Sequence, residues 1–134
     1  MKYLLDTHVL LWAIAGSDKL GKDTLEIILN PDNTIYYSTI SPWEVEIKHQ
    51  KMPELFTLNG DQLIFLCRQA GIENISIRDQ HVAELKNVIP SSELFSHKDP
   101  FDRMLLAQAR AENITLITHD RKFSAYYDPH ILMC

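Results

Sequence analysis

Four carboxylates, Asp6, Glu44, Asp102 and Asp120, are spread along this 134-residue chain, each beside a stretch patterned as a strand or helix. Asp6 follows the apolar run Lys2–Leu5, and Glu44 lies early in the helical stretch after Thr34–Ser38. Asp102 opens the helical stretch Phe101–Glu112 with Asp99 just ahead of it, and Asp120 lies two residues past Ile114–Thr118. Carboxylates brought together repel, and each costs free energy to hold ionised away from water. A divalent cation relieves both costs. Mg²⁺ takes oxygen ligands in octahedral geometry and keeps several waters. Two such ions about 4 Å apart can activate a water and stabilise the leaving oxygen of a phosphodiester. The acids therefore point to metal-dependent phosphoryl chemistry.

Each acid also has a plain structural reading. Ser41-Pro42-Trp43-Glu44 has the form of a capping box, with Ser41 at the N-cap. Asp102 complements a helix dipole, Asp99 before Pro100 fits an N-cap, and Asp120-Arg121 fits a turn or surface ion pair. Asp6 is harder to explain this way, because an acid ending a buried strand needs a partner or a ligand. His8, His97 and His119 lie within two residues of an acid, a pattern open to zinc or a transition metal. No His pair stands at four-residue spacing, however, and His49, His81 and His130 read as surface or packing residues. Lys48, Lys51, Lys98, Arg103, Arg121 and Lys122 either steer a phosphate backbone or make a mixed-charge surface. Trp12 and Trp43 read as core or interface aromatics, and Leu10, Leu11 and Ile14 are available to a dimer interface.

The elements that must position these residues alternate. Lys2–Leu5, Thr34–Ser38, Ile72–Ile77 and Ile114–Thr118 read as strands. Val9–Ala15, Thr24–Leu29, Ser41–Lys51, Asp61–Ala70, Arg78–Leu85 and Phe101–Glu112 read as helices, and Pro90–Pro100 as a loop. This order implies parallel β-α units with helices on both faces of one central sheet, in a single domain over residues 1–134. Ligands of such sheets bind where the strands' carboxyl ends meet, which is where the acids fall.

Composition narrows the classes. With 46% hydrophobic residues, four Gly and six Pro, the chain is neither disordered nor low-complexity. Its longest apolar run, Val9–Ala15, is far short of the roughly 20 residues that span a bilayer. No signal peptide is read at the N-terminus. Cys67 and Cys134 make no disulfide framework, so the expected location is the reducing cytoplasm. The net charge of −5 argues against bulk electrostatic binding of nucleic acid but not against acids gathered around a metal.

Tyr3–Trp12 (YLLDTHVLLW), Ser41–Lys48 (SPWEVEIK), His97–Ala109 (HKDPFDRMLLAQA) and Leu116–Asp120 (LITHD) together resemble the PIN-domain nucleases, and more narrowly the VapC-type toxins of toxin–antitoxin pairs. The resemblance implies a three-layer α/β/α sandwich with a mainly parallel sheet. It implies an Mg²⁺- or Mn²⁺-dependent ribonuclease with Asp6, Glu44, Asp102 and Asp120 as site acids. It gives Asp99 an accessory metal or supporting role, and Thr7 and Thr118 supporting hydroxyls. It further implies an RNA substrate, a cognate antitoxin and a homodimer. A non-catalytic RNA- or protein-binding relative is the alternative. A phosphoacceptor module is disfavoured, because Tyr37-Ser38 ends the second strand without an Asp. A haloacid-dehalogenase-like phosphatase is disfavoured because Asp6-Thr7-His8 has His where a second Asp is needed.

Overall fold

The computed structural model describes residues 1–90 and 99–134. Most of the expected Pro90–Pro100 loop, with His97 and Lys98, lies outside the described residues. Five strands, β1 (Lys2–Leu5), β2 (Thr34–Ser38), β3 (Glu73–Ile75), β4 (Thr115–Thr118) and β5 (Ile131–Met133), form one parallel sheet in the order β3-β2-β1-β4-β5. The helices are α1 (Thr7–Ala15), α2 (Lys22–Leu29), α3 (Ile40–Lys51), α4 (Gly60–Gln69), α5 (Asp79–Glu84) and α6 (Pro100–Glu112). Among the described residues no helix is long and apolar enough to cross a membrane.

Side chains alternate across the strands, so β1, β2 and β4 each feed two cores. Tyr3, Leu5, Ile35, Tyr37 and Ile117 pack with Val9 and Leu10 of α1, Val45 of α3, and Leu63 and Cys67 of α4. On the other face Leu4 and Leu116 pack with Leu105, Leu106 and Ala109 of α6 and with Phe123. The result is the expected three-layer α/β/α sandwich. Leu10 is fully buried within the first core, and Leu11 and Ile14 are half-buried against it.

Three local expectations are corrected. The third strand is Glu73–Ile75 rather than Ile72–Ile77, because its partner β2 ends at Ser38, opposite Ile75. The helix after β2 begins at Ile40, ahead of Ser41, because Ser38 Oγ accepts from Ile40 N at 3.1 Å and turns the chain at once. Ser41 is therefore not an N-cap, and Glu44 is the fifth residue of α3 rather than the partner in a capping box. Trp43 is 53% exposed and is not a core residue. The short β5, and the 3-10 turn Arg121–Tyr126 before it, have no counterpart in the sequence reading.

Candidate active site

β1 and β4 are parallel neighbours, so their carboxyl ends deliver Asp6 and Thr118 to one edge. Asp6 N donates to Ile117 O at 3.0 Å, fixing the backbone there. The Asp6 carboxylate then acts in two directions. Its Oδ1 caps α1 by accepting from Val9 N at 2.9 Å, and its Oδ2 accepts from the Thr118 hydroxyl. Thr118 Oγ1 in turn accepts from Asp120 N at 3.0 Å, so one hydroxyl ties the two acids. Asp6 is only 4% exposed. Burial pushes its carboxyl above the usual aspartate range. The hydrogen bonds from Thr118 and Val9 and the charge of His8 oppose that rise, and the negative charge of Asp120 adds to it.

Glu44 reaches the same edge from α3. Thr7 Oγ1 donates to Glu44 Oε1 at 3.0 Å and lies 2.9 Å from Ser41 Oγ. Thr7 has one proton and gives it to Glu44, so Ser41 is the donor to Thr7. The other oxygen, Glu44 Oε2, pairs with Lys48 Nζ at 2.8 Å, one helical turn on. Lys48 is thus held within the acidic cluster, with its ammonium 5.8 Å from the centre of the Phe56 ring.

Asp102 lies in the first turn of α6, whose N-cap is Asp99. Asp99 Oδ1 accepts from Phe101 N at 2.9 Å and Asp102 N at 3.3 Å, and Asp99 itself is exposed. Phe101 meets Trp43 edge-to-face, ring centres 4.9 Å apart, so the start of α6 abuts the start of α3. Burial raises the Tyr126 hydroxyl above its ordinary range, with Arg103 lowering it and Asp102 raising it further. Asp120 caps the turn that follows it by accepting from Lys122 N at 2.9 Å. Asp6, Glu44, Thr7, Thr118 and Asp120 are joined through hydrogen bonds or adjacency in the chain. Asp102 borders them, and Asp99 is set apart as a cap. His8 and His119 flank Trp12 edge-on, at ring separations of 6.4 and 5.1 Å. The sequence reading missed Ser41 as part of this network and missed the Glu44–Lys48 ion pair, which the four-residue spacing could have signalled.

The donors here are carboxylate and hydroxyl oxygens, the set a hard cation such as Mg²⁺ or Mn²⁺ takes. Among the described residues no three His, Cys, Asp or Glu side chains form a ready-made metal cage.

A family model for the PIN domain matches residues 3–129. The chain belongs to the PIN-domain family, a family of nucleases. Solved structures similar to this PIN domain include VapBC2 from Rickettsia felis bound to a DNA fragment from its promoter. That likeness has a TM-score of 0.70 and 22% identity, and covers 100% of this chain and 98% of the other. DNA-bound VapBC from Salmonella typhimurium gives a TM-score of 0.67 at 18% identity, covering 100% and 97%. A toxin–antitoxin complex from Klebsiella pneumoniae gives 0.63 at 21%, covering 98% and 96%. At these identities the likeness is one of fold. A comparison with curated proteins finds no significant match.

Proposed function

We propose that this PIN domain, spanning residues 1–134, is a metal-dependent endoribonuclease and the toxin of a toxin–antitoxin pair. The observation that carries the reading is the buried Asp6 carboxylate, joined through the Thr118 hydroxyl to the backbone N–H of Asp120 at the ends of β1 and β4. Asp6, Asp102 and Asp120 would hold Mg²⁺ or Mn²⁺, with Asp99 accessory. Such an ion, when bound, neutralises phosphate charge and eases deprotonation of a water. The chain's own residues do the positioning. Thr118 fixes the face of Asp6, and Thr7 and Lys48 fix the two oxygens of Glu44. The fold shared with toxin–antitoxin complexes supports a cognate antitoxin as partner; the working form in this reading is a cytoplasmic homodimer.

The test is cleavage of single-stranded RNA by the purified full-length chain. Cleavage should need Mg²⁺ or Mn²⁺ and fall to background in Asp6→Asn and in Asp120→Asn while circular dichroism stays native. Cleavage that survives both substitutions, or that persists in chelator, defeats the assignment. Growth arrest on induction of the chain alone checks the toxin role; vigorous growth with abundant folded protein refutes it.

A further inference from the structure

Beside the acids lies a cavity of about 210 Å³ between α1, α3 and the segment joining α3 to α4. Its lining includes Leu11, Val45 and Phe56, and Thr7, His8 and Lys48 supply polar groups. The wall that carries Phe56 is pinned. Phe56 N donates to Met52 O at 2.9 Å, and Phe56 O lies 2.6 Å from His49 Nδ1. Gly60 N donates to Glu46 Oε1 at 3.1 Å, and a Cβ on Gly60 would fall 2.6 Å from Pro42 O, so only glycine lets the segment close this tightly. The cavity is below the roughly 300–1,000 Å³ of pockets for drug-sized ligands, which suits one flat ring.

The chemistry of the lining selects the ring. An apolar floor and an aromatic wall suit a heterocycle, and Lys48, which lines the cavity and is paired with Glu44, joins it to the acids. Thr7 links this cavity to the catalytic edge, because it follows Asp6 and its hydroxyl donates to Glu44. A nucleotide seated with its base against Phe56 therefore has its phosphate directed toward the acids. We propose that this cavity receives one unstacked base of single-stranded RNA, adjacent to the phosphate that is cut and stacked on Phe56. The inference rests on the ribonuclease reading. It adds a subsite that holds a base by its face, so it tolerates different bases.

The test separates binding from cleavage. A fluorescein-labelled single-stranded RNA is titrated with the full chain in chelator and followed by anisotropy, and cleavage of the same RNA is timed in Mg²⁺. Phe56→Ala should weaken binding and raise KM by roughly tenfold, in line with base–aromatic stacking, with kcat within about twofold; Phe56→Trp should restore both. An abasic nucleotide beside the cleaved bond should cause the same loss with the native chain, and no further loss with Phe56→Ala. Because the abasic arm needs no protein variant, a misfolded Phe56→Ala does not blunt it. If the RNA is cut but neither change affects binding, the subsite is wrong and the nuclease reading stands; the cavity then belongs to a protein side chain. If Phe56→Ala weakens binding but nothing is cut, Phe56 contacts the RNA, while the nuclease reading falls and with it the placement of the base beside a cut phosphate. If the RNA does not bind at all, the subsite is refuted.

Discussion

Asp6 shows most directly how burial strains a single residue. It caps α1 and bonds to Thr118, yet burial still leaves its carboxyl raised above the ordinary aspartate range. The folded state therefore binds the Asp6 proton more tightly than the unfolded chain does. Between the ordinary value near 3.9 and the raised one, stability falls as pH rises, and the cost is fully present above that window. Asp6→Asn should thus match the native chain at the acid end and exceed it at pH 7 by on the order of 1 kcal/mol, the scale of the stability–activity trade-off. Urea denaturation in chelator at acid and neutral pH measures this; an advantage that does not grow with pH contradicts a burial cost at Asp6. The placement of this residue was legible because the apolar run Lys2–Leu5 stops at an acid. Its bond to Thr118 was not, because that contact joins residues 112 positions apart and no local pattern encodes it.

The elements were legible where local chemistry sets them. β2 is a β-branched and aromatic run bounded by turn residues, and Gly16, at φ +63°, ends α1 where an L side chain would be strained. They were illegible where a neighbour sets them. α3 starts early because the Ser38 side chain turns the chain, and β5 is a three-residue strand that exists only because β4 offers an edge. The packing of α3 on α4 is likewise tertiary, and it hangs on Gly60. Gly60→Ala places its Cβ 2.6 Å from Pro42 O and 3.1 Å from Glu46 Cβ, so backbone must move. The expected cost is about 1–3 kcal/mol, read as a lower denaturant midpoint at unchanged m-value. An unchanged midpoint would mean that the α3–α4 contact yields freely.

The molecule as a whole carries a charge of −5, and Lys48 is already paired with the site acid Glu44. Such a surface offers RNA few phosphate contacts, so affinity should depend only weakly on salt. A slope of log K against log[salt] of about −1, at roughly −0.7 per phosphate neutralised on a single strand, is expected. A slope steeper than about −4 would indicate a basic track elsewhere on the protein. The arrangement of the sheet has a different kind of consequence. β1 sits at its centre and must wait for β4, more than a hundred residues later, before its second neighbour exists. Thr118 and Asp120 arrive only with that strand. The edge that carries Asp6 is therefore completed by the most distant pairing in the sheet, and Asp6 gains its Thr118 partner only once β4 has docked beside β1.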